Sequence, residues 1–347
     1  MLTETHDQSS HAKVTRELFR FAERGVLLLV GSIALGCWGM MVIRLFSDIH
    51  PMCELATHPS LHMFFICTAV LVTECIVYFV RRRTSEASPR WMRRIAFTLI
   101  PFVFFGWVTT PWKLLPLQPS RQSEGSLKIL SWNLLLVNNH FNEVIELVNR
   151  EKPDIVALIE VSPLAEKELE ILQTNYPYHL WMPAWQGSGI ALMSRHSEST
   201  FRRVYPGGNW MPAIELELNR GESKGKLSVL AVHTLSPSPS ESAKTVIRDL
   251  QLKGLGSWAG EKDHATMVIG DCNISPWSPP FWRLLKEGKL RDSRLYRGCF
   301  SSWPASFKAL GIPIDHALVN DKIKILDRRI FYHDTHSDHC PISISIE

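Results

Sequence analysis

Cysteine is scarce and unpatterned in the C-terminal two thirds of this 347-residue chain. Only Cys272, Cys299 and Cys340 lie there, an odd number without CxxC spacing, which argues against a metal-thiolate site and leaves room for one disulfide. The same region lacks an excess of either charge. Residues 1–119 hold 12 Lys and Arg against 8 Asp and Glu, leaving 26 of each from the totals of 38 and 34. The formal net charge of +4 therefore belongs to the N-terminal part. A chain that tracks phosphate backbones carries a strongly basic footprint, and here only a local group, Arg202, Arg203, Arg291, Arg294 and Arg297, is available. Internal repeats and low-complexity tracts are missing too, which sets aside solenoids and disordered arrays.

Long apolar runs, in contrast, are present. Gly25–Ile43, Leu61–Val80 and Ile95–Pro111 each approach the roughly 17–25 residues that cross a bilayer as a helix. They predict three transmembrane helices, about 25–43, 61–80 and 95–111, the last being short and containing Pro101. Arg81, Arg82, Arg83, Arg90, Arg93 and Arg94 outnumber Glu86 between the second and third runs, and Lys13, Arg16, Arg20 and Arg24 precede the first. Positive loops stay in the cytoplasm, so the expectation is a multi-pass inner-membrane protein with a cytoplasmic N-terminus. Everything after Trp112 would then face the periplasm or exterior. Ala34-Leu35-Gly36-Cys37 faintly suggests a lipoprotein cleavage site, but the apolar run continues past it, which favours a retained span. Glu74 inside the second run is expected to face the other helices or a polar neighbour.

Residues 1–112 thus read as a membrane anchor, residues 113–125, with Pro116, Pro119, Ser120 and Ser123, as a linker, and residues 126–347 as a separate folded domain. Within the last, the apolar pattern predicts strands at Leu127–Asn133 and Asp154–Glu160 around an amphipathic helix, Phe141–Arg150. A helix over Pro163–Asn175 follows, capped by Ser162. Strands at His179–Pro183, Gly189–Arg195, Phe201–Val204, Ala213–Leu218 and Leu227–His233 form a largely antiparallel run. Beyond them come a helix at Ser240–Trp258, a strand at Thr266–Asn273, a helix near Pro280–Glu287, and strands at Asp315–Val319, Ile323–Phe331 and Pro341–Ile346. Buried apolar strands mixed with helices suit two packed sheets with helices outside, an α/β (α+β) architecture.

Polar residues recur where these strands end: Asn133, Glu160, His233, Asp271 with Asn273, Asp315, and Asp338 with His339. Each is costly to bury alone, so six such endings point to one shared site. The motifs Ser131-Trp132-Asn133, Ala157-Leu158-Ile159-Glu160, Ala231-Val232-His233, Gly270-Asp271-Cys272-Asn273, Ile314-Asp315 and Ser337-Asp338-His339, with Gly189–Arg195 as a further similar strand, resemble the endonuclease/exonuclease/phosphatase superfamily of deoxyribonuclease I-like proteins. The resemblance covers about residues 126–347. It departs from the common pattern at Cys272, where Phe is frequent, and at His316, here expected to be structural.

The resemblance implies a four-layer αββα sandwich and hydrolysis of a phosphate ester with a divalent metal, Mg²⁺ or alternatively Mn²⁺. Hard cations take oxygen ligands, and the implied metal residues are Glu160, with Asn133 beside it and Asp338 contributing. Asp271 would orient or deprotonate the attacking water and Asn273 would hold it or a phosphate oxygen. His339, oriented by Asp315, would stabilise developing negative charge, and His233 would bind a non-bridging oxygen or assist the leaving group. The anchor and the neutral domain favour a lipid-linked or small phosphorylated substrate over nucleic acid, the second reading. A sugar- or inositol-phosphate phosphatase and a catalytically silent scaffold are the remaining readings, since fold alone does not choose. Trp210, Trp277 and Trp303 fall in expected loops, available to lipid or to the substrate mouth.

Overall fold

Two six-stranded sheets carry the C-terminal part of the chain in a computed structural model that describes residues 4–83, 89–119, 125–208, 211–238, 240–308, 310–332 and 336–347. Asn209 and Trp210, with residues 120–124 of the expected linker, lie outside the described residues. The chain divides into two units, one of Met1–Phe46 with Pro59–Thr109, the other of Ser47–His58 with Thr110–Glu347.

The first unit consists of helices. α1 (Glu4–Leu45) is followed in sequence by the short α2 (Pro51–Leu55), which belongs to the second unit, and then by α3 (Ser60–Arg83) and α4 (Pro89–Thr109). Arg24–Leu45, α3 and α4 are long and apolar enough to cross a membrane. Glu74 is buried on α3 and lies 3.6 Å from the Arg94 guanidinium of α4, which also donates to the Leu27 carbonyl at 2.8 Å. Arg94 therefore sits inside a helix that begins six residues before the apolar run, where its charge meets that of Glu74.

In the second unit β1 (Leu127–Asn133), α5 (Asn142–Glu151) and β2 (Ile155–Ile159) form a crossover, since a parallel pair needs a connection longer than a hairpin. α6 (Pro163–Glu168), β3 (Tyr178–Met182), β4 (Ile190–Ser194), β5 (Ser199–Val204), β6 (Ala213–Asn219) and β7 (Lys226–His233) follow. α7 (Ser242–Gly260) then crosses to β8 (Ala265–Asp271), and α8 (Pro279–Glu287), β9 (Arg291–Asp292), β10 (Asp315–Val319), β11 (Ile325–Ile330) and β12 (Ile342–Ile346) complete the unit. One sheet runs β11-β12-β1-β2-β4-β3 and the other β5-β6-β7-β8-β10-β9. Each has one parallel pair at its centre, β1 with β2 and β7 with β8.

Alternation along the strands builds the layers. Leu127 and Ile129 of β1, Ile155, Ala157 and Ile159 of β2, Leu227, Val229 and Ala231 of β7, and Ala265, Met267 and Ile269 of β8 share the core between the sheets. Leu130, Trp132, Val156 and Leu158 face the opposite way, onto α5 and α6, as Leu230 and Val268 face α7 and α8. Both faces of each sheet are covered, which is why the central strands read as continuous apolar runs. The four-layer αββα sandwich is thus the observed architecture.

Local departures from the sequence reading have physical reasons. Ser162 caps its helix, accepting from Ala165 N–H at 3.0 Å, but α6 ends at Glu168 and a 3₁₀ turn, Glu170–Thr174, replaces its expected continuation. Tightening to three residues per turn puts i and i+3 on one side, and Leu169 and Leu172 are both buried there. The antiparallel run splits, β3 and β4 joining one sheet and β5 to β7 the other. β9 is two residues long and offered no apolar run to find. All seven cysteines are free thiols.

Candidate active site

Strand parity aims the polar residues. In β1, β7, β8 and β10, Asn133, His233, Asp271 and Asp315 continue the alternating set that faces the inter-sheet core. The register pairs His233 and Asp315 each with Asp271, so three of them meet at one end of the sandwich. Glu160 is one residue out of phase with β2, and its left-handed φ of 58° turns the chain there. Such a conformation costs a non-glycine residue roughly 1–2 kcal/mol. Its carboxylate accepts from Asn133 Nδ2 at 3.0 Å and from Leu136 N–H at 2.9 Å. Gly270 precedes Asp271 because β7 approaches so closely that a Cβ there would lie 2.1 Å from the Val232 carbonyl oxygen, at a φ of 135°.

Asn133 binds two carboxylates at once, its Nδ2 donating to Glu160 Oε1 and to Asp271 Oδ2, each at 3.0 Å. Its oxygen accepts from Leu135 N–H, so the amide nitrogen, not the oxygen expected of a metal ligand, faces the site. Asp271 is 1% exposed and also accepts from Asn273 N–H at 2.8 Å. Asn273, at φ 46°, donates from Nδ2 to the Thr234 carbonyl at 2.9 Å and lies 3.4 Å from Asp271 Oδ2. The His233 Nδ1 is 2.8 Å from the Gly187 carbonyl, which fixes Nδ1 as the donor and leaves Nε2 facing Asp271 at 3.7 Å and Glu160 at 3.8 Å.

His339 Nδ1 lies 2.8 Å from Asp315 Oδ2, and its Nε2 lies 3.7 Å from Asp271 Oδ2. Burial opposes charge on this imidazole, but the Asp315 and Asp271 carboxylates outweigh it and raise the group to about 10. Burial also dominates at Asp271, which is pushed up to about 6 despite the neighbouring imidazoles. Asp315 is held below its ordinary value, burial being outweighed by His339 and by the Ser302 hydroxyl. His316 is fully buried, with Nε2 2.8 Å from the Ile274 carbonyl and its ring on Phe281. Burial lowers it to about 4; it is a neutral packing residue, as expected. Asp338 stands apart: its side chain is 44% exposed, accepts from Trp303 Nε1 at 2.9 Å and comes no nearer than 4.0 Å to His339 Nε2.

Two groups of metal-ligating side chains result among the described residues, Glu160 with His233 and Asp271, and Asp271 with Asp315 and His339. Asp338 belongs to neither. The first group suits a hard divalent cation, since two carboxylates offer oxygen donors and the buried Asp271 charge is incompletely neutralised by the protein alone.

Several positioning residues escaped the sequence reading. Trp132 Nε1 donates to the His339 carbonyl at 3.1 Å, and the Ser337 hydroxyl donates to the Asn133 carbonyl at 2.7 Å and accepts from His339 N–H. The flanking residues of the Trp132-Asn133 and Ser337-Asp338-His339 motifs therefore tie β1 to the loop before β12. Ser302 accepts from Asp315 N–H at 3.1 Å. Trp303 lines the cavity, while Trp277 is buried and unavailable to lipid or substrate. The arginine group disperses, Arg202 pairing with Glu215 and Arg294 being buried against Asp292.

The fold is shared with solved structures of low sequence identity. A humanised D. rerio TDP2 carrying 14 mutations matches at TM-score 0.52 and 16% identity, over 64% of this chain and 99% of its own. The 3′ phosphatase NExo from Neisseria, bound to a product DNA hairpin, matches at TM-score 0.52 and 20% identity over 64% and 99%. The human Nocturnin catalytic domain with bound sulfate matches at 0.51 and 14% over 67% and 99%. No curated protein matches the sequence. The profile of the Endonuclease/Exonuclease/phosphatase family matches residues 130–339, a span that begins within β1 and ends on His339; with the sandwich and the convergent strand ends in place, the chain belongs to this family of phosphoric ester hydrolases.

Proposed function

We propose that this chain is a membrane-anchored, divalent-metal-dependent phosphoric ester hydrolase whose catalytic unit lies outside the cytoplasm and whose substrate is a lipid-linked or small phosphorylated molecule. The observation that carries the reading is the meeting of Glu160, His233, Asp271 and the His339–Asp315 pair on one cavity of about 580 Å³. Glu160 would hold Mg²⁺ or Mn²⁺, with Asn133 bracing its carboxylate and that of Asp271. A bound cation supplies charge neutralisation at the phosphoryl oxygens.

The chain's own groups account for the proton and the charge. Asp271, held near 6, is suited to accept a proton from the attacking water at neutral pH. The water oxygen bonds to phosphorus as the ester P–O bond breaks, and the departing oxygen is protonated from solvent. His339, cationic across that range, stabilises the developing charge, and Asp315 fixes which ring nitrogen faces the phosphate. With Nδ1 donating to the Gly187 carbonyl, His233 in its imidazolium form donates from Nε2 to a non-bridging oxygen. Asn273 braces Asp271, and Asp338 borders the cavity beside Trp303.

Topology and substrate are supported by two further observations. Ser47–His58 packs with the catalytic unit, which supports a reading in which the segments after α1 and after α4 share one side of the membrane, as three spans predict. The cavity wall includes Met211, Leu235, Pro237, Ile312 and Ile314, with Lys244 as its one fixed cation among the described residues. That suits an ester with an apolar portion. A nuclease is the second reading, favoured by the DNA-bound Neisseria structure of the same fold. Hydrolysis by the purified full-length protein, with Mg²⁺ or Mn²⁺, of plasmid DNA, RNA, phospholipids, polyprenyl phosphates and sugar phosphates separates these readings. Turnover confined to nucleic acid, falling steeply with salt, would overturn the first.

A further inference from the structure

The segment between the first two long helices is built into the catalytic unit. The Nδ1 of His50 accepts from Met52 N–H and caps α2, which carries Glu54 inward to 1% exposure. Glu54 Oε2 lies 3.0 Å from Arg248 Nη2, and Ser278 donates to its Oε1 at 2.5 Å. Arg248, itself fully buried, donates from Nη1 to the Asn273 carbonyl at 3.0 Å. A buried ion pair of this kind penalises loss of either partner, because the other charge is left uncompensated. A passive connection between two helices has no reason to bury a carboxylate against the motif that carries Asp271.

The end of the same segment reaches the cavity. Leu55 and His58 line it together with Glu160, His233 and Asp271. Both ring nitrogens of His58 are buried without a hydrogen-bond partner, Nε2 being 3.7 Å from Glu54 Oε1. Neither side chain has a part in the hydrolysis described above, and both lie far outside residues 130–339, which match the family.

We infer that residues 47–58 form the substrate-selecting wall of this active site. Leu55 contacts the apolar portion of an amphiphilic phosphate ester, His58 hydrogen-bonds a polar group of that ester beside the scissile phosphate, and the Glu54–Arg248 pair fixes the wall to the Gly270–Asn273 motif. The inference rests on the hydrolase reading and names its substrate class. Leu55 and His58 are specificity residues, and Glu54 is a positioning residue.

The test uses the full-length chain in mixed micelles with Mg²⁺ or Mn²⁺, comparing dioleoyl and dibutyryl phosphatidate. The wild type should prefer the dioleoyl ester; Leu55→Asn should lower the long-chain to short-chain ratio of kcat/KM by about tenfold, and His58→Ala, whose polar contact both esters share, should lower kcat/KM on both by about tenfold with the ratio kept. Glu54→Gln should lower kcat on both esters by about tenfold while KM for the short ester holds, a split that general loss of folded protein would not produce. No chain-length preference in the wild type, a wild-type ratio in Leu55→Asn, or wild-type kcat/KM on both esters in His58→Ala would overturn the inference. Hydrolysis that persists in Glu160→Gln, or none of either ester by the wild type, would instead overturn the metal-dependent hydrolase reading beneath it.

Discussion

Replacing Asp315 by Asn tests the charge assigned to His339. The imidazole is raised from 6.5 to about 10, an interval worth about 5 kcal/mol in favour of the charged form at about 1.4 kcal/mol per pH unit, and this is net of a burial penalty that opposes it. Two carboxylates supply the gain, Asp315 at 2.8 Å and Asp271 at 3.7 Å. At an effective dielectric constant of ~20 these distances give ~6 and ~4.5 kcal/mol, so Asp315 carries the larger share. Without it, the remaining attraction and the burial penalty nearly offset each other, and His339 returns to about 6.5 or below. At pH 7.5 its protonated fraction falls from nearly complete to about one tenth. Loss of the fixed ring orientation adds to this, for an expected drop in kcat of about 10²–10³. The assay is kcat and kcat/KM from pH 5.5 to 9.5 on a soluble phosphodiester with Mg²⁺ present. The wild type should keep its His339-dependent activity to the alkaline end, whereas the variant should regain activity as pH is lowered toward 6. An alkaline limb at the same pH in both proteins would refute the role given to this pair.

Glu160→Gln and Asp271→Asn should each abolish metal-dependent hydrolysis while leaving the protein folded, as judged by circular dichroism; activity in either removes the mechanism. Mg²⁺ or Mn²⁺ at about 100 times its Kd should stabilise the wild type by about 2.7 kcal/mol, and calorimetry should find that increment missing in Glu160→Gln. Glu54 is lowered from 4.5 to about 2, where burial is outweighed by His58, Arg248 and Ser278. A depressed carboxylate contributes stability above its unfolded value and loses it as pH falls, so acid unfolding of the wild type should show up to about 3 kcal/mol of loss between pH 4.5 and 2, and Glu54→Gln a flatter limb. Gly270→Ala should destabilise by more than about 2 kcal/mol, because a Cβ would meet the Val232 carbonyl; an unchanged melting temperature would contradict the strand spacing. A phosphatase reporter fused after Glu347 should be active outside the cytoplasm, and activity only inside would reverse the proposed orientation.

The sequence by itself determined the sandwich and most of the rim. Two-residue alternation is a local property, so Ile129, Ser131 and Asn133, or Met267, Ile269 and Asp271, already share a face before any sheet forms. With apolar strands buried on both faces, that shared face had to be a core, and the polar group at its end had to be paired. Only the tertiary structure decided who pairs with whom. The Asn133 amide turned toward Glu160 and Asp271, Asp338 drawn away to Trp303, and the split of one antiparallel run between two sheets depend on registers that alternation leaves open. The attachment of Glu54 to Arg248 joins residues 194 positions apart in sequence. Nothing local in a short segment between two apolar helices marks it as a wall of the cavity, because the charge it neutralises is buried by folding alone.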